Sequence, residues 1–229
     1  MNAISILILL IIVGLLVYVY YTFNPNYMID AKDIKDIQTF SSDKIDVPAS
    51  NRYCYEGWFN VINNFPPDKP NVLFSRADKF VIYMQQSKLA LAINGKYEVD
   101  GSGRATMAAA VSNVVPGDEI VITNAYPFQK WAYIVINVDG NNVDIYLDGR
   151  LVAHKIVNIG FTSTDSLVVG NKFMDGRVAH FNRYGFNMNP QDVWSKYMYG
   201  SGQSNSASNY NVKVGILKNN VQTSDFKLF

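Results

Sequence analysis

The sequence predicts an all-β fold, a jelly-roll sandwich of two antiparallel sheets, behind one N-terminal transmembrane helix and with one short C-terminal helix. Three observations carry this. Residues 130–156, KWAYIVINVDGNNVDIYLDGRLVAHKI, alternate apolar and polar positions almost without a break, as half-buried strands do because successive side chains point to opposite faces. Short strand-like runs recur between Pro, Gly, Asn and Asp clusters at roughly ten-residue spacing, the punctuation of a sandwich or jelly roll. Residues 3–23, by contrast, contain no charged side chain.

Taken in order, the chain divides into an anchor (1–23), a polar connector (24–49), a jelly roll (50–200) and a linker with a C-terminal strand extension (201–229). Ala3 to Phe23, as a helix rising about 1.5 Å per residue, spans roughly the 30 Å hydrocarbon thickness of a bilayer. Tyr18, Tyr20 and Tyr21 gather at its C-terminal end, where amphipathic rings favour the membrane interface. A cleaved signal peptide competes with this reading, but the segment has no basic n-region, and YVYYTFNPN offers no small-x-small cleavage site. In the connector, Ile34 and Ile37 suggest one short helical stripe and Pro48 a stop.

Strand material begins at RYCYEGWFNVI and continues through NVLFSRADKFVIYM, LALAINGKYEV and DEIVITNA. Trp131 to Val138 is apolar on both faces except at Asn137, which predicts a strand covered on two sides. Asp139-Gly140-Asn141-Asn142 then closes a hairpin, and Asp148-Gly149 begins a second reversal into Arg150–Ile156, giving a three-stranded meander. Asp148 is expected to stabilise its own turn. Val143, Ile145 and Leu147 share one face of the middle strand; Asp144, Tyr146 and Asp148 share the other. NPQDVWSKYMYG, residues 189–200, reads as a helix with Pro190 at its start and Gly200 at its end, and Trp194 and Tyr197 on one docking face. Beyond it, alternation resumes in Asn211–Leu217 and near Phe226–Phe229, a strand pair suited to covering a sheet edge or pairing with a neighbouring chain.

The chain has 229 residues, 48% hydrophobic and 14% aromatic, enough for one core of ordinary size. Its net charge of +1 comes from 20 basic and 19 acidic residues with no long run of either sign, so a nucleic-acid partner has no electrostatic footprint.

An early Y-x-x-W-F strand, the central W…VDGxxVxIYLDGxLV run and SLVVGNKFMDGRVAHFNRYGFNMNPQDVWSKY together resemble a laminin-G-like domain of the concanavalin A-like lectin/glucanase superfamily, over roughly residues 50–200. The residues that carry the resemblance are Trp58, Trp131, Tyr146, Asp148, Gly149, Gly170, Gly176, Tyr184, Pro190 and Tyr197. It implies two curved sheets packed face to face with the closing helix against one end, and no particular reaction, because the fold carries lectins, hydrolases and adhesion modules alike. The short anchor, this domain and the Asn- and Tyr-rich composition are also similar to minor capsid or virion-membrane proteins of large DNA viruses.

The residues do not read as an enzyme. Glycoside cleavage needs two carboxyl groups flanking the scissile bond, and the E-x-D-x-E run of the superfamily's glucanases is missing. In the nearest series, Asp139, Asp144 and Asp148, only Asp144 falls within a strand. His154, His180 and Cys54 come from separate strands with no short ligand spacing, which argues against zinc and against a Cys-His nucleophile, and Cys54 between two tyrosines reads as a small buried hydrophobe. GSGRAT has Thr106 where a dinucleotide loop needs its third glycine. Laminin-G-like domains often hold calcium at a rim, and Asp100, Asp165 and Asp175 are the loop carboxylates available for it, although none matches a family ligand position. No other cofactor is expected.

The expectation is a non-enzymatic, single-pass membrane module serving in protein assembly, with glycan binding as the alternative, glycoside hydrolysis as a remote one, and partners among assembly proteins and the bilayer. Lys32, Lys35 and Lys44 follow the apolar span while no basic residue precedes it, Cys54 is the single cysteine, and no Asn-x-Ser/Thr acceptor occurs. These place the domain on the cytosolic or capsid-facing side.

Overall fold

In the computed structural model, the described residues are 10–18, 27–93, 97–99, 101–103, 105–107, 119–157, 159, 164–201, 213–218 and 221–227. Helix α1 (10–18) lies within the segment expected to span a bilayer and carries its apolar side chains exposed. Among the described residues no helix is long and apolar enough to cross a membrane. The rest of 3–23 lies outside them, as do Asp100 and Arg104.

In chain order the strands are β1 (Ile29–Asp33), β2 (Gln38–Phe40), β3 (Arg52–Asn64), β4 (Asn71–Arg76), β5 (Phe80–Gln85), β6 (Lys88–Ile93), β7 (Tyr97–Val99) and β8 (Ala105–Met107). They continue with β9 (Glu119–Thr123), β10 (Trp131–Asp139), β11 (Asn142–Leu147), β12 (Arg150–Ile156), β13 (Leu167–Val169) and β14 (Met174–Tyr184). Helix α2 (Pro190–Tyr199) and the strands β15 (Lys213–Lys218) and β16 (Val221–Lys227) follow. One sheet runs β1-β14-β3-β10-β11-β12 and the other β2-β13-β4-β5-β6-β9, every pair antiparallel. The predicted all-β sandwich with a short C-terminal helix is therefore present, and so is the β10-β11-β12 meander. The strands β15 and β16 pair with each other as a separate two-stranded sheet, as do β7 and β8.

The inner faces meet in one apolar core. Because alternate residues of β3 point inward, Tyr55 and Phe59 join Phe74, Phe80 and Phe181 there, all buried, with Phe59 and Phe74 stacked at 5.9 Å and Phe74 edge-on to Phe181 at 5.1 Å. Residues of β10, β11 and β14 supply Ile134, Ile136, Val143, Ile145 and Val178 from the facing positions.

Residues 24–49 correct the sequence expectation of a polar connector with a helical stripe. Here β1 extends the first sheet, with Ile29 opposite Phe181 and Asp33 opposite Arg177, while β2 extends the second, with Thr39 opposite Val168. Ile34 and Ile45 are core residues, 1% and 4% exposed. The cause is long-range pairing: the Ile34 N–H donates to the Gly176 carbonyl at 3.0 Å and its carbonyl accepts from Asn171 N–H at 2.8 Å, and such contacts override a three-residue spacing that fits a reversal as well as a helix. Two buried arginines then strap the following turn, Arg76 donating to the Pro48 carbonyl and Arg183 to those of Asp46 and Val47. The folded domain includes residues upstream of position 50.

Helix α2 covers the outer face of the first sheet. Pro190 opens it and Asn189 caps it, its side-chain oxygen accepting the Asp192 N–H at 2.8 Å. Val193 is buried and Tyr197 stacks on Trp58 at 5.8 Å. Under the helix lies a second apolar layer of Cys54, Trp58, Tyr133, Val135, Tyr146, Ala179 and Met188, with Trp131 partly buried against it. The turn between β11 and β12 has Asp148 and Gly149 at φ 50° and 76°, and a side chain at Gly149 would begin 2.8 Å from the Trp194 ring. Asp148 departs from expectation: its carboxylate accepts the Tyr133 N–H at 2.9 Å across the strand, prolonging the β10–β11 ladder beyond its last paired residues.

Candidate functional site

Directly opposed residues of antiparallel strands share a face, so the registers define the outer surface of the first sheet. One row crosses five strands as Tyr184, Cys54, Asn137, Asp144 and His154. The next row toward the β10–β11 hairpin is Arg52, Asp139, Asn142 and Ile156, and on the other side lie Glu56, Val135, Tyr146 and Leu151. Helix α2 covers the β14 and β3 portion together with Tyr133, Val135 and Tyr146, and leaves the end of β10, β11 and β12 nearer the β10–β11 hairpin open. There Asn137, Asp139, Asn142, Asp144, Tyr146 and His154 line a groove of about 290 Å³, walled by Asn187, Met188 and Pro190 from the segment leading into α2.

Asn137 positions that wall. Its amide donates to the Met188 carbonyl at 2.7 Å and its side-chain oxygen accepts the Met188 N–H at 3.1 Å, which explains why a polar residue interrupts the apolar run of β10. His154 Nδ1 lies 2.6 Å from Asp144 Oδ1. Arg52 holds Asp139 through two bonds of 3.1 and 3.0 Å, and this pairing keeps the Asp139 carboxyl below the usual carboxylate range. The Asn187 side-chain oxygen is buried and accepts no hydrogen bond from the described residues.

Beneath α2 lies a second polar cluster around Glu56, 3% exposed. Tyr133 donates to Glu56 Oε2 at 2.5 Å, while Tyr184 at 2.5 Å and Lys196 at 2.6 Å donate to Oε1. Lys196 also donates to the Tyr184 hydroxyl at 2.8 Å and sits over its ring. Burial and the neighbouring carboxylate push both phenols well up, so they remain donors. Tyr27, stacked on His180 at 4.3 Å, closes this side, leaving a cleft of only about 60 Å³. With its charge neutralised and its oxygens occupied, Glu56 is a structural anchor for α2.

The structure separates the residues that the sequence grouped. Asp139 and Asp144 share the groove, whereas Asp148 belongs to the β11–β12 turn. Asp165 pairs with Lys79 at 3.6 Å and Asp175 pairs with Lys35, each on a different strand end, and Asp100 lies outside the described residues. Among the described residues no group of three or more His, Cys, Asp or Glu side chains could hold a metal ion. Cys54 is fully buried, and burial raises its thiol pKa. Of the residues that carried the resemblance, Trp58, Tyr146, Tyr184 and Tyr197 lie in or against the layer under α2, and Gly170 and Gly176 flank Ile34. Sequence reading missed Glu56 and Asn187; a lone acid inside an apolar strand was the available signal for the first, and nothing local marked the second.

A family model described as the concanavalin A-like lectin/glucanases superfamily, of laminin G type, matches residues 35–194. The chain belongs to this superfamily. No curated protein matches this superfamily member significantly in sequence. Among solved structures, it is similar to the binding domain of botulinum neurotoxin DC in complex with rat synaptotagmin II, at 12% identity and a TM-score of 0.53. It is also similar to a botulinum neurotoxin type C structure concerned with two ganglioside molecules (10%, 0.51) and to the serotype D ligand-binding domain with N-acetylneuraminic acid (8%, 0.50). In each case 76% of this chain aligns with 47% of the other, so it spans about half the toxin chain. At these identities the likeness shows the fold alone.

Proposed function

We propose that the chain is a non-enzymatic recognition module, tethered to a membrane through residues 3–23, that binds carbohydrate in the groove at the β10-β11-β12 end of its outer sheet face. The observation that carries this is the row Asn137–Asp144–His154, in which Asn137 fixes the Met188 wall while Asp144 and His154 set polar side chains from two adjacent strands along an open groove beside Tyr146. Ligand pockets combine apolar walls with a few placed polar groups in this way, and rigid strands hold such groups more accurately than loops. A binding role is favoured over hydrolysis because a glycosidase needs one carboxyl group kept protonated, and Arg52 holds Asp139 in the opposite direction. The tether draws support from the uncharged run and from α1 within it.

Incubating the full chain in detergent micelles with a printed glycan array tests the binding, and polysaccharide panels including β-glucans and chitin test the absence of turnover. Binding without product release is expected; turnover abolished by Asp144→Asn overturns the non-enzymatic reading. Protease treatment of sealed vesicles carrying the chain adds the side of the membrane. A carbohydrate receptor is digested from outside, whereas protection, with an empty array, favours internal protein assembly.

A further inference from the structure

We propose that the groove selects uncharged or amino-bearing sugars and rejects sialylated and other acidic glycans. This rests on the carbohydrate reading above and narrows its ligand class. The groove leaves few hydrogen-bonding groups free. Asn137 is spent on both backbone groups of Met188. Arg52 is spent on the groove residue Asp139. One oxygen of Asp144 is taken by His154, and the second retains its accepting capacity.

The open position is therefore an acceptor, the second Asp144 oxygen, in a groove that also holds the Asp139 carboxylate. A pair of ring hydroxyls supplies donors to such a set, and an ammonium group supplies both donors and the complementary charge. A sugar carboxylate brings further acceptors and a like charge to a groove whose described lining holds two carboxylates and neither lysine nor arginine, an arrangement that costs affinity through unpaired desolvation and repulsion. The acidic ligand in one structural neighbour, N-acetylneuraminic acid, has no counterpart in this chemistry.

The test uses the full chain in detergent micelles with matched glycans that share a core and end in galactose, glucosamine or sialic acid, read by array binding and saturation-transfer NMR at neutral pH. The expected result is binding of the neutral and amino-terminated forms about tenfold or more above the sialylated form. Asp144→Asn, which keeps the shape and removes the charge, should narrow that ratio several-fold, and a thermal melt checks that the variant is folded. Equal or stronger binding of the sialylated form overturns the selectivity while leaving the carbohydrate reading standing. Binding to none of the three overturns both. An unchanged ratio in folded Asp144→Asn overturns the assignment of selectivity to this groove.

Discussion

His180 occupies a left-handed backbone position, φ 49°, with its ring stacked on Tyr27 and its Nε2 3.7 Å from Asp30. Burial is the largest influence on the imidazole and lowers its pKa; Asp30 and Glu56 pull the other way without reversing it. The unfolded chain thus binds this proton more tightly than the native one. The stability that follows from a neutral His180 is complete above the ordinary histidine value of about 6.5 and is lost as pH falls through the lowered native value. Thermal midpoints should therefore drop between pH 7 and pH 5, before most carboxylates titrate, and His180→Gln should flatten that part of the curve. A drop of the same size in the variant would move the cause elsewhere.

Helix α2 shows how an element is held by residues that come from distant strands. Trp58 is 6% exposed between Tyr133, at 5.0 Å, and Tyr197, so Trp58→Ala should cost about 3–5 kcal/mol, as large aromatic truncations do. Asn189→Ala removes only the cap and should cost about 1 kcal/mol. Chemical denaturation of both variants checks the ratio. The helix itself was legible, because Pro190 and Gly200 bracket it and its start carries Asn189; so was the meander, whose turns need the Asn, Asp and Gly that the sequence places there. The strands β1 and β2 were not. Their burial is conferred by partners well over a hundred residues away, and a five-residue and a three-residue edge strand are too short to display a period. The groove was half legible for the same reason: Asn137, Asp144 and His154 stand out along the meander, but Asn187 and Met188 reach it through a loop whose course only the fold determines.

At the scale of the molecule, these edge strands decide where an independently folding unit begins. A fragment of residues 27–201 retains both six-stranded sheets and α2, and should be soluble, cooperative and dominated by β signal in far-UV circular dichroism. A fragment beginning at residue 50 lacks Ile29, Ile34 and Ile45 from the core and leaves β14 and β13 as new open edges, so it should aggregate or melt much earlier. Comparable midpoints for the two would show that β1 and β2 are dispensable appendages.

The arginine strap has a mechanical consequence. If the tether is pulled, load enters at Tyr27 and reaches β1 first, whose backbone bonds to β14 can be broken in succession, followed by the short β2. The strand peels, but Arg76 and Arg183 grip the carbonyls of residues 46–48 from inside the sandwich and cannot release them one at a time without exposing buried guanidinium groups. Extension from the N-terminus should accordingly show an early step bounded by roughly 65 Å, the stretched length of residues 27–45 at about 3.4 Å per residue, less the distance their ends already span in the fold, then a plateau held at the strap before the sheets give way. Optical-tweezer traces with Arg183→Met should lose that plateau. The domain would then work as a tensioned head with a short elastic leash, able to yield at its N-terminal end while the groove at the far edge of the same sheet keeps its shape.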